Sequence, residues 1–535
     1  MKRGTSQALR PSPLLLRAMA LAACALMTAC AVGPDYKRPS ADVPQQYKET
    51  AGEWKVGTPS DAIARGKWWA IFGDPQLNAL EEQVAAANQN ILVAEAQYRE
   101  AQALVQSARA QFYPTLTGSA SASRSRSVRT TVNADGSLST GSPTLTNAQS
   151  LTLDASWELD LWGRIRRTVE SNQASAQASA GDLASALLSA QATLAQDYFQ
   201  LRVTDTQKAV LQRTVADYER FLQLTQNQYA VGVAQRSDVL TAQTQLKQAQ
   251  ALLLDTEVTR AQLEHAIAVL IGKSPSEFSL APTPAATAQE LPPLPDIPLE
   301  IPSTVLERRP DIAAAERRMA AANADIGVAK AAYFPTLTLG ASAGLSANTL
   351  SRLATLPSRI WSIGPTLAAT LFDGGARAAA VDKAGAAYDA AVGTYRQTVL
   401  GAFQDVEDNL AALRWQAQEF DVQNDAVKSA QEAAQLDLNR YRAGTISFLE
   451  VITAQATAYT AERTLLTLQG KRYARRPWTA PHPWSGGSGR KPSRSRPPRL
   501  RRRRPSMTWP AASRPRSRGR SSPRATNWCA RAASA

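Results

Sequence analysis

The stretch Gln111–Ser121, QFYPTLTGSAS, returns 221 positions later as Ala332–Ser342, AYFPTLTLGAS. A second pair, Asn227–Gln243 (NQYAVGVAQRSDVLTAQ) and Asn439–Gln455 (NRYRAGTISFLEVITAQ), is offset by 212. Two blocks repeated in the same order mean an internal duplication of roughly 200 residues, far longer than a solenoid repeat. Each half can be read against the other.

After each repeated block the pattern turns to period two. Leu116, Ala120 and Ala122 alternate with Thr115, Thr117, Ser119 and Ser121. Leu151, Leu153, Ala155, Trp157 and Leu159 oppose Thr152, Asp154, Ser156 and Glu158. The second half repeats this in Leu337–Ser346 and Trp361–Leu371. Strands are predicted at about 111–123, 150–159, 333–346 and 360–372, each with one apolar and one polar face. Their length suits a tilted strand crossing a bilayer. Polar loops, Ser123–Gln149 and Ser346–Arg359, join each pair on the outside of the cell. Open sheet edges are not tolerated in lipid, so four strands cannot stand alone. Identical chains must share a barrel: two would supply eight strands, three would supply twelve.

Long helices come after each strand pair. Gly163–Ala230 contains no proline and is rich in Ala, Gln and Leu, and Gly374–Arg442 duplicates it. Each predicts about 100 Å of helix. Neither has the run of about 20 apolar residues that spans lipid, so these helices pack along one another. They end at matched turns, Tyr229-Ala-Val-Gly232 and Tyr441-Arg-Ala-Gly444, where glycine suits a helix C-terminus. Asp238 and Glu450 open the return helices, where a carboxylate complements the helix dipole. Further helices are expected at Gln76–Gln111 and Pro302–Tyr333.

The N-terminus reads as an export signal. Lys2, Arg3, Arg10 and Arg17 precede the short apolar run Ala18–Thr28, too short to cross a bilayer. It ends in Leu26-Met27-Thr28-Ala29-Cys30, which resembles a bacterial lipobox. Cys30 is then the lipid-bearing first residue, with residues 1–29 removed. Cys24 leaves with the signal and Cys529 lies near the far end, so no disulfide framework is expected. With only two histidines, His265 and His482, neither a metal site nor His-based catalysis is expected.

The net charge of +15 is misleading. Residues 474–535 carry 16 Arg, one Lys and no acid; subtracting these 17 charges leaves −2 for the rest. The helix expected from Ser447 meets Pro477, Pro481 and Pro483, and the chain beyond them is rich in Arg, Pro and Ser. A nucleic-acid-binding tail fits an exported chain poorly; an out-of-frame 3′ end fits better. The predicted layout is signal 1–29, an extended lipid-anchored segment 30–75, first repeat 76–273, Pro-rich linker 274–301, second repeat 302–473 and disordered basic tail 474–535.

Motifs spread along residues 30–473 carry a family resemblance. They are Cys30-Ala-Val-Gly-Pro-Asp-Tyr36, Trp68-Trp69 with Phe72-Gly-Asp-Pro-Gln-Leu77, Phe112-Tyr-Pro-Thr-Leu116 and Leu159-Asp-Leu-Trp-Gly-Arg164. Arg308-Arg-Pro-Asp-Ile312, Phe372-Asp-Gly-Gly375 and the two Tyr-x-x-Gly turns complete the set. The chain resembles the TolC-like outer-membrane factors, and among them the NodT-type efflux lipoproteins. The resemblance implies an α+β membrane protein built as a homotrimer. Four strands per chain would form a twelve-stranded barrel in the outer membrane, and duplicated helical hairpins a periplasmic barrel closed by an iris.

It further implies a passive exit duct for small molecules, drugs or metal ions in a tripartite, RND-type efflux system, and no enzyme. A periplasmic membrane-fusion adaptor and an inner-membrane pump would be its partners. Cys30 would bear the lipid, the only attached group, with no nucleic acid bound. The adaptor would meet the tips at Tyr229, Gly232, Val233, Gly444 and Thr445. Asp238, Tyr441 and Glu450 match gate positions; where the family pattern places an Arg partner for Tyr441, this chain has Ile446. A type I secretion duct for polypeptides, or a non-conducting coiled-coil lipoprotein, are the alternatives. The second leaves the four strands unexplained.

Overall fold

The chain is described by a computed structural model over residues 32–39, 48, 67–132, 134–283, 291 and 309–479. The signal segment, Cys30, most of the Pro-rich linker and the tail from residue 480 lie outside the described residues.

The repeated FYP and YFP blocks are helix-to-strand junctions. Helices α1 (Pro75–Ala87) and α2 (Gln89–Ala110) precede the first, and α5 (Pro310–Ala331) precedes the second. Pro114 and Pro335 disfavour the αR conformation in the residues before them, so the chain leaves the helix extended. Each junction is held by an indole: Trp157 Nε1 donates to Phe112 O (2.9 Å) and Trp162 Nε1 to Pro335 O (2.7 Å). Trp162 also stacks on Phe334 at 4.8 Å. The single helix predicted over 76–111 is instead two, broken at Asn88. There the side-chain oxygen caps Asn90 and Ile91 N, while Nδ2 donates to Leu270 O (2.8 Å). The asparagine thus satisfies the first amides of α2, which have no helical partner of their own.

Strands β1 (Thr115–Ser127), β2 (Thr144–Leu159), β3 (Thr336–Ala347) and β4 (Arg359–Ala368) form one antiparallel sheet in chain order. The first hairpin is longer than predicted, and the expected loop 123–149 holds a small ribbon, Thr130–Val132 with Thr140–Leu138. Asp135 turns it, accepting from Ser137 N (3.1 Å) and Oγ (2.7 Å), with Gly136 at φ 78°. β4 stops at Ala368, short of the predicted 372, because Thr336 opposite it is the first residue of β3. Residues 30–75 are not uniformly extended either: Trp68–Phe72 forms a 3-10 turn that buries both tryptophans and Phe72.

The register sorts the sheet into two faces. One row runs Gly118–Leu153–Ala343–Trp361, and the next Ala120–Leu151–Leu345–Arg359. This face is apolar and open to its surroundings: Leu153 is 56%, Trp361 78% and Ile363 66% exposed. The opposite face carries Thr117, Ser119, Thr152, Asp154 and Glu158. Its hydroxyls pair across the strands, Ser119 Oγ to Thr152 Oγ1 at 2.7 Å and Ser121 Oγ to Ser150 Oγ at 2.8 Å. β1 and β4 are left as edges. Among the described residues no helix is long and apolar enough to cross a membrane.

Carboxylates start both long helices, α3 (Arg164–Ala230) and α6 (Ala376–Arg442), each 67 residues. Asp160 accepts from Ile165 N (3.0 Å) and Arg166 N (2.9 Å), and Asp373 from Gly375 N (3.0 Å) and Arg377 N (3.2 Å). Each long helix returns through a shorter one, α4 (Arg236–Leu270) and α7 (Phe448–Thr479). α7 runs past the predicted domain end at 473. That residue, Tyr473, is fully buried and stacks on Phe199 at 4.8 Å, so core packing holds the helix at this point.

The main core joins the Trp68-Trp69 turn and α1 to the middles of α3 and α7 and the end of α4. Within it Glu81 is wholly buried, and among the described residues neither carboxylate oxygen has a hydrogen-bond partner. Burial pushes its pKa up to about 9, so the folded chain holds it as the neutral acid. A group raised in the folded state stabilises below its unfolded pKa, and that contribution is lost as pH rises through the folded value. Thermal stability should fall between pH 5 and pH 9, and Glu81→Gln should flatten that decline. Melting curves across this range with superimposable slopes for the two proteins would refute the assignment.

Candidate functional site: the paired helix tips

The two tips are the same motif built twice. At the first, Gly232 N donates to Tyr229 O (3.0 Å) and Val233 N to Gln228 O (2.9 Å). At the second, Gly444 N donates to Tyr441 O (2.9 Å) and Thr445 N to Arg440 O (3.0 Å). This double pattern is a Schellman C-cap, which needs a left-handed residue. Gly232 (φ 78°) and Gly444 (φ 75°) supply it.

The first return helix starts with a reciprocal capping box, and at the second the acid likewise reaches back to the residue before the helix. Asp238 Oδ2 accepts from Gln235 N at 3.0 Å. Glu450 Oε1 accepts from Ser447 N (3.2 Å) and Ser447 Oγ (2.9 Å). Both acids thus stand at the third helical position, one on each hairpin, where the helix dipole favours negative charge.

Tyr441 holds the hairpins to each other. Its hydroxyl donates to Gln228 Oε1 on the other arm, and its ring tilts against Phe448 at 5.8 Å. Burial raises its pKa, and the charge of nearby Asp238 adds to this, while the contacts to Gln228 and Thr225 oppose it. So Asp238 lies within electrostatic reach of Tyr441, while its hydrogen bond goes to Gln235 N. Below the tips, Tyr218 and Phe221 of α3, Leu246 of α4, and Phe448, Val451 and Ile452 of α7 form one apolar cluster, with Ile446 against it. Ile446 therefore contributes packing where an arginine would contribute charge.

Tyr229, Val231 and Val233 stand out from the first tip, 49%, 75% and 76% exposed. Gly444 and Thr445 are exposed at the second. Sequence reasoning missed Gln228. Its signal was one of the differences between the repeats, Asn-Gln-Tyr against Asn-Arg-Tyr. It also missed a buried network higher in the arms. Asp205 takes Arg260 at 2.7 Å and Arg202 at 3.4 Å, and Arg260 reaches Glu264 at 2.9 Å. Each arginine lies three or four residues from one of these acids, an ordinary helical spacing.

The other end of the helices shows where the N-terminal segment docks. Val32 N donates to Trp162 O (3.1 Å), and buried Arg167 reaches Asp35 (2.8 Å) and Glu170 (2.8 Å). Gly33 passes so close to Gly327 that a Cβ would sit 2.5 Å from its Cα. This binds residues 32–36 beside the place where the strands leave the helices.

A sheet that is apolar outside and polar inside, continued by paired helical arms to capped tips, defines an outer-membrane channel. The family model described as outer membrane efflux protein matches residues 80–273 and 301–476, and the chain belongs to that family. It is 30% identical over 442 residues to the probable efflux pump outer membrane protein TtgC of Pseudomonas putida KT2440, covering 82% of this chain and 89% of that one. It is 31% identical over 455 residues to the pyoverdine export outer membrane protein OpmQ of Pseudomonas aeruginosa, covering 84% and 92%. Among solved structures, the outer-membrane channel OprN superposes with a TM-score of 0.75 at 31% identity, over 84% of this chain and 98% of that one. The open-state MtrE channel of Neisseria gonorrhoeae gives 0.72 at 26%, over 85% and 99%. This chain is an outer-membrane efflux channel whose four strands contribute to a trimeric twelve-stranded barrel.

Nothing lies within 4 Å of a Cβ built on Gly444, so only the left-handed backbone resists substitution there. Gly444→Ala should cost about 1–2 kcal/mol and speed hydrogen exchange at the end of α6. Unchanged exchange would show that the turn does not need glycine.

Proposed function

We propose that this chain is the passive exit duct of a tripartite efflux system, coupled to a periplasmic adaptor and an inner-membrane pump. The observation that carries this reading is the pair of equivalent tips 212 residues apart. Each closes an arm of about 100 Å, long enough to reach deep into the periplasm. The exposed Tyr229, Val233, Gly444 and Thr445 are the surface the adaptor would grip. Backbone caps close both turns, with Thr445 Oγ1 adding a bond to Arg440 O (2.9 Å) at the second, and the side chains of Tyr229 and Val233 stand out for a partner.

The gate is drawn from the same geometry. Tyr441–Gln228 and the cluster beneath it hold the second hairpin against the first. Adaptor binding would favour an arrangement in which the hairpins part, a two-state transition. Glu450, repeated by three-fold symmetry, would form a carboxylate ring at the aperture and favour cations. The chain itself would catalyse no reaction; the pump supplies the energy.

Small organic molecules or metal ions are the substrate class. Relatives bear names for toluene efflux, pyoverdine export and cation efflux, and the pump and adaptor would select among such cargoes. Cys30 would carry the lipid anchor. It precedes Val32 by two residues, and Val32 is bonded to Trp162, three residues beyond the end of β2. A lipid on Cys30 would therefore enter the inner leaflet beside the barrel.

Asp238→Ala combined with Tyr441→Phe should raise single-channel conductance in planar bilayers. Conductance equal to wild type would remove the gate assignment. Glu450→Gln should lower cation over anion permeability at reversal potential, whereas an unmoved reversal potential would exclude the carboxylate ring.

A further inference from the structure

The arginines at the two ends of the sheet are treated differently. At the helical end the arginines that follow the strands have carboxylates: Arg164 with Glu158 at 2.7 Å, Arg166 with Asp160 at 3.4 Å, Arg377 with Asp373 at 2.6 Å. At the far end, the stretches 123–149 and 346–359 contain five arginines, a single acid (Asp135) and no lysine. Asp135 is engaged by its own turn with Ser137. Among the described residues, Arg124, Arg126 and Arg359 form no ion pair and are exposed.

Their position on the pleat matters more than their number. β1 alternates, so Arg124 and Arg126 share the face of Leu116, Gly118 and Ala120, the face that meets lipid. They are about 7 Å apart along the strand. Arg359 ends the row Ala120–Leu151–Leu345 on the same face, and Trp361 begins the next row inward. An exposed tryptophan below arginines marks the level where acyl chains give way to headgroups. When three chains close the barrel, the free edge of β4 meets β1 of the next chain, bringing Arg359 to the strand beside Arg124 and Arg126.

Guanidinium groups at headgroup level, without carboxylates, are placed for phosphate. A guanidinium gives phosphate two parallel charge-assisted hydrogen bonds, which a hydrated counter-ion does not replace. The lumen would not see them, since the polar face lies opposite, so cargo recognition does not explain them. We propose that Arg124, Arg126 and Arg359 form a seam site on the outer wall of the barrel for the phosphate groups of an outer-leaflet glycolipid. The site requires the membrane placement of the sheet but not the gate assignment.

The test is native mass spectrometry of the purified full-length channel. It is incubated with lipid A, with dephosphorylated lipid A, or with inorganic phosphate alone. Wild type should retain lipid A about tenfold more than the dephosphorylated form, the effect of losing one or two charge-assisted bonds. Arg124→Gln/Arg126→Gln/Arg359→Gln should lose this preference, Arg124→Lys/Arg126→Lys should keep part of it, and Arg352→Gln, off the strand face, should keep all of it. Conductance equal to wild type would certify that each variant assembles. Equal retention of both lipids, an equal loss in Arg352→Gln, or saturation by inorganic phosphate alone would overturn the proposal. If instead the variants conduct poorly, wild-type discrimination between the two lipids alone decides it.

Discussion

An antiparallel sheet with one apolar face and two free edges has no stable home as a single chain in lipid. Every edge amide and carbonyl would face hydrocarbon without a partner, at several kcal/mol each. Only closure removes edges. β1 and β4 each keep one free edge within one chain, and the chain-order topology puts those edges at opposite sides of the sheet. Copies of the chain can thus close head to tail around an axis. The apolar rows then face lipid and the Ser, Thr, Asp and Glu rows face water. The duplication fits the same closure, since two hairpins per chain make a ring of three nearly six-fold.

The helices inherit their arrangement from that ring. Asp160 and Asp373 cap α3 and α6 directly after β2 and β4, so each hairpin passes its direction straight into an arm. Trp157 and Trp162 grip the carbonyls of Phe112 and Pro335, which fixes where the incoming helices end. Along the arms, Ala-rich faces and the Arg202–Asp205–Arg260–Glu264 network hold neighbours together. At the tips the glycine caps close the turns mainly through the backbone, with Thr445 adding one side-chain bond, and Tyr229 and Val233 stand exposed. This separation of labour suits a surface that must bind and release a partner.

Much of this was legible in the residues. Period two located the strands and assigned their faces, because alternation reports directly on a boundary between two solvents. The Tyr-x-x-Gly turns and the acids three residues into the return helices were equally readable, being local motifs with local causes. Pairings between distant segments were not. Nothing near Gln228 announces Tyr441 across 213 positions. Glu81 looks like one more solvated acid beside Glu82 until packing buries it. Asn88 interrupts a run of good helix formers, and only the Leu270 carbonyl shows why. The ribbon within the first outer loop and the early end of β4 depend on which residues find ladder partners, a property of the sheet rather than of either strand.

Edge satisfaction sets the assembly, and the mass of the detergent-extracted channel tests this most directly. Native mass spectrometry should give a complex of three chains, with no stable species of one or two. A dominant dimer would mean an eight-stranded closure, and a stable folded monomer would mean that the free edges are covered some other way. Either result would contradict the account.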